Sequence, residues 1–165
     1  STPEESIATA ERFISLSPDT VRIYPTVVLP GTALAELYQS GEYKVPSLDE
    51  SVELCSHLLE MFDNADINVI RLGLHAQQDV CEEYLAGGYH PALRELCEGE
   101  IYYRKMKNSL EDKPQGNYEI TVASAEISKA VGQKKKNINR LADLGYICKV
   151  RGDERYKRYE LTVER

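Results

Sequence analysis

Three segments in the first part of the chain have the apolar spacing of amphipathic helices. The first covers residues 2–16, where Thr2 suits the N-cap position and a proline and two glutamates follow it. The second covers residues 33–39. The third begins at Ser47, which forms a capping-box pattern with a glutamate three residues later, and it reaches about Asn64. This pattern predicts three helices.

Two segments rich in apolar and β-branched residues, 20–29 and 68–75, lie between and after these helices. Such runs are typical of strands that are covered on both faces, as in a parallel sheet flanked by helices. Pro25 lacks an amide hydrogen, so it requires an edge position, a bulge or a strand split into two short pieces. The order helix, strand, helix, helix, strand predicts an α/β (α+β) fold.

Two more helices are predicted after the second of these strands. One covers residues 77–86 and ends at a pair of glycines. The other opens at Pro91 and reaches about Asn108. Gly99 is expected to interrupt it, because glycine is a poor helix former.

The last fifty residues have the pattern of a small β-α-α-β-β domain. An alternating strand comes first, and Ser124 is expected to cap the helix that follows it. A Gly-Gln-Lys-Lys-Lys loop separates this helix from the next one. The other predicted elements are a strand at 118–122, a helix at 137–144, and strands at 146–150 and 156–163 that a turn at 151–154 joins.

Charge divides the chain near the start of this domain. The net charge is −7, but residues 1–117 carry nine Lys and Arg against 20 Asp and Glu, whereas residues 118–165 carry 11 against seven. A basic segment beside an acidic one indicates binding of a polyanion. The breaker-rich joint at 113–117 therefore predicts one domain over residues 1–113 and a second over residues 117–165.

Composition argues against several other classes of protein. No apolar run approaches the roughly 18 residues that span a bilayer, and the acidic N-terminus is unlike a signal peptide. A cytoplasmic protein with no membrane partner is expected, and the serine start indicates a chain cut from something larger. The cysteines are 26, 16 and 51 residues apart, so no metal site is predicted. They are expected to be reduced, mostly buried thiols: Cys55, Cys81, Cys97 and Cys148.

The lysine-rich loop is the strongest functional candidate in the sequence. A tight turn into a helix N-terminus presents backbone N–H groups and the positive end of the helix dipole. Three consecutive lysines, with an arginine one turn later, add charges for two or three phosphates. A solvated lysine run is the alternative interpretation. The predicted nucleic-acid-binding residues are Gly132, Gln133, Lys134, Lys135, Lys136, Asn137 and Arg140.

This loop and its neighbours resemble the KH fold. Residues 131–138 keep the aliphatic-Gly-x-x-Gly-x-x-aliphatic spacing of that family's loop, with Lys135 in place of the second glycine. The lysine removes the close backbone approach that glycine permits, but it adds charge that favours phosphate. The resemblance implies a KH-like module that binds single-stranded or structured RNA.

Residues 124–163 also resemble a winged helix-turn-helix, with a two-stranded wing at Gly152. That fold would place Asn137, Asn139 and Arg140 in a DNA major groove. It normally has a further helix just before the first of its two helices, where this sequence predicts a strand. The winged helix remains the alternative to the KH-like domain.

The first part of the chain resembles a known enzyme family. Residues 22–34, 37–44, 70–75 and 88–93 are similar to the end of the barrel in radical S-adenosylmethionine proteins related to the catalytic subunit of Elongator. A more distant similarity is to oxygen-independent coproporphyrinogen oxidase. The resemblance spans residues 10–105 and implies the C-terminal strands and helices of a partial barrel.

That family holds a [4Fe–4S] cluster with a CxxxCxxC loop, which this sequence lacks. The resemblance therefore implies the C-terminal part of an RNA (tRNA)-modifying enzyme. The N-terminal barrel portion would be its partner and would bring the cluster and S-adenosylmethionine. No cofactor is expected in this chain, which would be inactive alone. If the chain is complete, a non-enzymatic nucleic-acid-binding regulator is the alternative.

No catalytic residue is assigned, because no Ser-His-Asp or paired-carboxylate pattern has interpretable spacing. Tyr24, Arg71 and His75 on the predicted strands are candidates for a pocket. His75 ends a strand, where ligand crevices of α/β sheets lie, whereas Tyr24 and Arg71 are equally compatible with ordinary packing and pairing. His90 lies in a glycine-rich turn, and His57 is expected to be structural or exposed.

Overall fold

The computed structural model describes residues 2–74 and 84–165. They form two compact units, one ending at Cys97 and the other beginning at Glu98. This division falls inside a helix, whereas composition and charge placed the domain boundary at 113–117. The domain limits 1–113 and 117–165 stay a prediction.

Three helices of the first unit begin at side-chain caps. The helices are α1 (Pro3–Ser15), α2 (Ala33–Gln39) and α3 (Leu48–Asn64). The hydroxyl groups of Thr2, Thr32 and Ser47 each accept a hydrogen bond from a backbone amide in the first helical turn. In α1 and α3 the glutamate at the third position completes a capping box. The three predicted helices are confirmed.

The described residues of the first unit also form four short strands: β1 (Thr20–Ile23), β2 (Val27–Val28), β3 (Asn68–Leu72) and β4 (Ala86–Gly87). β1 pairs with β3 in parallel, and β2 pairs with β4 antiparallel. The segment containing Pro25 is therefore split into two strands, as one of the predicted alternatives required. The described residues form no closed barrel, and their mixture of helices and small sheets confirms the α+β class.

The helix predicted over 77–86 lies mainly outside the described residues, and the three positions that the structure describes, 84–86, are not helical. Ala86 belongs to β4, where it pairs with Val28. The next residue, Gly87, has φ +120°, and a Cβ there would lie 2.7 Å from the backbone oxygen of Thr26. Residues 86–87 therefore form the strand β4 and not the end of a helix, because the backbone of Gly87 packs directly on β2.

The apolar face of α3 forms much of the core of the first unit. Val52, Cys55, Leu59 and Phe62 are buried at helical spacing. Each large side chain buried in this way contributes about 1.5–3 kcal/mol relative to an exposed one. Leu58, predicted on the same face, is half-buried and borders an open cavity.

The fourth helix, α4 (Leu93–Leu110), is continuous, so the predicted interruption at Gly99 is wrong. The helix buries a whole stripe of side chains, which outweighs the cost of about 1 kcal/mol for one interior glycine. Its fully buried residues are Leu93, Cys97, Ile101, Tyr102, Met106 and Leu110. At Gly99 the missing side chain allows close packing, because a Cβ would lie 3.3 Å from the carbonyl oxygen of Lys129.

The second unit confirms the predicted β-α-α-β-β order. Its elements after α4 are β5 (Gly116–Ala123), a 3-10 turn (Ser124–Glu126), α5 (Ile127–Val131), α6 (Lys136–Asp143), β6 (Tyr146–Asp153) and β7 (Leu161–Glu164). The predicted cap by Ser124 is wrong, because its side chain accepts no capping hydrogen bond and the chain enters α5 through the 3-10 turn.

The sheet of the second unit has the strand order β6-β5-β7. β5 pairs with β6 in parallel and with β7 antiparallel. The turn predicted at 151–154 is wrong for residues 151–153, since β6 continues to Asp153, and the two strands that it would join lie on opposite sides of β5. The cause is the apolar content of β5: Ile120 and Val122 are fully buried, and a central position covers them better than an edge would.

Candidate nucleic-acid interface

The lysine-rich loop is a tight turn with an unusual backbone. Gly132 has φ +77°, Lys134 has φ +51° and Lys135 has φ +62°. The amide of Lys135 donates a hydrogen bond of 3.0 Å to the carbonyl of Gly132, which closes the turn. Two successive non-glycine residues in the left-handed region are costly, at about 1–2 kcal/mol each. The surrounding structure must therefore hold this conformation in place.

The charged side chains of this turn face solvent. Gln133, Lys134, Lys135 and Lys136 are all exposed, and Lys136 begins α6. Within the described part of the chain, Lys134 and Lys135 have no ion pair. Two lysine side chains on one tight turn therefore present uncompensated positive charge.

Asn137 lies directly after the lysines, but the structure places its side chain inside the second unit, with 3% of its surface exposed. Its Nδ2 donates to the carbonyl oxygens of Gly99 at 2.8 Å, Ala130 at 3.2 Å and Lys129 at 3.3 Å. Gly132 packs against it, since a Cβ there would lie 3.0 Å from Asn137 Cγ. Its geometry is that of a structural residue and not of an exposed contact.

Arg140 is held by neighbours on α4. Its guanidinium binds both carboxylate oxygens of Glu100, at 3.1 Å for the Nη2–Oε1 pair, and lies 3.3 Å from the centroid of the Tyr103 ring. Burial lowers the pKa of Arg140, but hydrogen bonds and charge from Glu100 raise it overall. The side chain is partly buried and neutralised, so the structure separates it from the three exposed lysines.

A buried polar network stabilises the second unit, and sequence reasoning missed it. Glu98 lies on α4 with 6% of its side chain exposed and binds Lys129 at 2.9 Å and Arg158 at 2.7 Å. Lys129 also binds Glu126 at 2.8 Å. The spacing of Glu126 and Lys129 was the only local signal for this network, because Glu98 and Arg158 are 60 residues apart.

Two tyrosines extend the network. The hydroxyl of Tyr102 accepts a hydrogen bond of 2.9 Å from the amide of Tyr159, and it lies 3.4 Å from Glu126 Oε2. Burial raises the pKa of Tyr102 to about 12. The Tyr159 hydroxyl lies 2.6 Å from Arg158 Nη2. The segment before β7 is thereby fixed to α4.

The first unit contains an open cavity of about 300 Å³ between α1, β1 and α3. Tyr24, one of the predicted pocket residues, lines it together with Arg22 and Phe13. Arg71 lies on β3 opposite Arg22 and is absent from the cavity lining. His75 lies outside the described residues, so a pocket formed by these three residues stays a prediction.

The other histidines have ordinary positions. The Nδ1 atom of His90 accepts a hydrogen bond of 3.1 Å from the amide of Ala92, just before α4. His57 is exposed on α3. Both positions are consistent with structural or solvated side chains.

The described residues contain no group of three or more His, Cys, Asp or Glu side chains suited to a metal ion. Cys55 and Cys97 are buried, and a hydrogen bond from Cys97 lowers the pKa of Cys55. Burial raises the pKa of Cys148 to about 11. These thiols do not fit a [4Fe–4S] cluster. Among the described helices, none is long and apolar enough to cross a bilayer.

Comparison with known proteins gives one family match and several relatives. Residues 18–103 match the Radical_SAM C-terminal domain. A stretch of 44 residues is 46% identical to Elongator complex protein 3 of Homo sapiens and covers 27% of this chain and 8% of that protein. A stretch of 40 residues is 45% identical to tRNA uridine(34) acetyltransferase of Methanocaldococcus jannaschii and covers 24% of this chain and 7% of that protein.

The matched stretches thus span less than a tenth of these relatives. No solved structure matches the chain. The family match ends at residue 103. The KH-like character of residues 117–165 therefore stays a prediction.

Proposed function

The chain belongs to the Radical_SAM C-terminal domain family, since the match covers more than half of its residues, and from this premise we propose that it forms part of an RNA-modifying enzyme. Its relatives include Elongator complex protein 3 and a tRNA uridine(34) acetyltransferase. We propose tRNA as the substrate, and the turn at 132–136 as the place where the chain holds a single-stranded segment of it.

The exposed pair Lys134 and Lys135 is the observation that carries this proposal. These side chains have no carboxylate partner among the described residues, whereas Lys129 and Arg140 are neutralised by glutamates. A phosphate that binds at the turn therefore releases counterions without having to break an ion pair. Lys136 at the start of α6 adds a third charge near the N-terminal end of the helix dipole.

The sheet order favours this proposal over binding to duplex DNA. A winged helix needs a two-stranded wing, but β6 and β7 lie on opposite sides of β5. Of the residues expected in the major groove, Asn137 is buried and Arg140 is bound to Glu100. We therefore keep RNA as the ligand and take single-stranded RNA as the first probe.

The catalytic chemistry would come from a portion of the enzyme other than these 165 residues. The thiols of Cys55, Cys97 and Cys148 do not fit a [4Fe–4S] cluster, and no described residue is assigned to S-adenosylmethionine. We propose that the N-terminal barrel portion carries both groups, so this chain alone binds RNA but does not modify it.

The test compares two double variants with the same change in charge. Lys134→Glu with Lys135→Glu alters the turn, and Lys113→Glu with Lys149→Glu alters two exposed lysines elsewhere in the second unit. Affinity for a fluorescent single-stranded RNA is measured by anisotropy over a range of KCl concentrations. Binding to two or three phosphates gives a log–log salt slope of about −1.4 to −2.

We expect the variant of the turn to bind RNA at least about tenfold more weakly and to lose most of the salt dependence of binding, because two phosphate contacts are lost. The control variant should stay within about threefold, since its charges act only at long range and are screened. Equal losses in both variants would show that net charge alone attracts RNA. A wild-type chain without salt-dependent binding would end the proposal.

A further inference from the structure

Asn137 occupies a position that sequence reasoning assigned to the nucleic-acid contact, yet three carbonyl groups surround its side chain. The acceptors are Gly99 on α4 and Lys129 and Ala130 near the end of α5. Carbonyl oxygens only accept hydrogen bonds, so the side-chain atom among them must be the amide nitrogen. The environment thus selects an amide and excludes a carboxylate.

These contacts tie together both ends of the lysine-rich turn. Lys129 and Ala130 lie before it, Asn137 lies after it, and Gly132 packs on the Asn137 side chain. The segment between them contains the two left-handed lysines. One buried side chain therefore spans the whole turn and joins it to α4.

We propose that Asn137 is a positioning residue that holds Lys134 and Lys135 in the conformation that presents both charges to neighbouring phosphates. The inference rests on the proposed function for its consequence in RNA binding. The hold on the turn itself is a separate property that can be measured without RNA. Asn137 touches no phosphate.

The test uses Asn137→Asp, with Asn139→Asp as the matched control. Both changes add one negative charge to α6, but Asn139 is exposed whereas Asn137 is buried. At Asn137 the new carboxylate would face three carbonyl oxygens and lose its donors. Asn137→Ala removes the two N–H donors of the side chain without adding charge, and it replaces Asn137→Asp in the test if the aspartate variant does not fold. Circular dichroism checks that each variant is folded.

Two measurements follow on folded variants. Hydrogen exchange reports the bond from the Lys135 amide to the Gly132 carbonyl, and RNA anisotropy gives the affinity and salt slope. In the Asn137→Asp and Asn137→Ala variants we expect the hydrogen of the Lys135 amide to exchange at least about tenfold faster than in the wild type. The log–log salt slope of RNA binding should become less steep by about 0.7, which corresponds to the loss of one phosphate contact. Asn139→Asp should change neither quantity beyond a small loss of affinity.

Lowering the pH should restore RNA binding by the Asn137→Asp variant, and a purely steric defect would show no such recovery. The buried carboxyl of the Asn137→Asp variant has its pKa raised by its surroundings, so it becomes a neutral donor as pH falls through that raised value. Affinity relative to wild type should then recover, while the lysines remain charged. Asn137→Ala should show no such recovery.

A folded Asn137→Ala variant with wild-type exchange at Lys135 and a wild-type salt slope would overturn the inference. If wild-type protein binds no RNA, the proposed function fails, and the exchange rate of the Lys135 amide alone decides the role of Asn137. Faster exchange then supports its hold on the turn, and unchanged exchange rejects it.

Discussion

The two compact units reach stable structure by different means. In the first, helices begin at hydroxyl caps formed by residues close together in sequence, as at Thr2 and Ser47. In the second, carboxylates of α4 bind basic side chains 31 to 60 residues later, as between Glu98 and Arg158. Local patterns therefore describe the first unit well, whereas the second depends on long-range polar pairs that a local pattern does not reveal.

The largest expected effect comes from removing α4. A peptide of residues 117–165 contains every predicted strand of the small domain but lacks Glu98, Glu100 and Tyr102. We expect it to be unfolded, because Lys129, Arg140 and Arg158 lose the carboxylates of α4 and the sheet loses an apolar cover. A peptide of residues 90–165 should fold. Circular dichroism and amide proton dispersion compare the two, and a folded 117–165 peptide would show that the sheet and its two helices suffice.

The next effect concerns the buried ion pairs of the second unit. Glu98→Gln removes the carboxylate that Lys129 and Arg158 share, and it leaves Lys129 with Glu126. Breaking a buried ion pair by removing one partner costs up to about 3–5 kcal/mol. Lys44→Ala in the first unit removes an exposed pair with Glu50 at 3.9 Å and should leave stability unchanged. Urea unfolding followed by circular dichroism measures both. Similar free energies of unfolding for the two variants would show that ion pairs do not contribute more to the second unit than to the first.

The smallest expected effect compares two serines at helix starts. Ser47→Ala in the first unit should cost about 1 kcal/mol, because the hydroxyl accepts the amide of Glu50. Ser124→Ala in the second unit removes no capping bond and should change stability by less than about 0.5 kcal/mol. Thermal unfolding of the two variants tests the difference. Equal shifts in Tm would mean that the caps contribute similarly in both units.

The sequence predicted those features whose physical cause is local. Thr2 and Ser47 mark helix starts because the hydroxyl and the amide it binds are three residues apart. Pro25 marks the split between β1 and β2 because proline cannot donate to a sheet. The spacing around Gly132 predicts a loop between two helices, and the structure shows a tight turn there, whereas its KH-like character stays a prediction.

The features that sequence reasoning missed have distant causes. Glycine is a poor helix former, so the sequence predicts a break at Gly99, but Gly99 lets α4 approach Lys129 closely, which depends on a segment 30 residues later. The lysine-rich loop predicts a nucleic-acid contact at Asn137, although the partners of its side chain include the carbonyl of Gly99, 38 residues away. Strand order was missed because a turn-like sequence at 151–154 gives no information about which neighbour β6 selects.

The left-handed backbone at Lys134 and Lys135 limits how this turn can change by mutation. Glycine or asparagine would fit the conformation with less strain, but either would remove a positive charge. β-Branched residues would be strongly disfavoured there. Selection for a more stable protein would therefore drive these two positions toward uncharged residues, and only a requirement for charge would keep lysine in both.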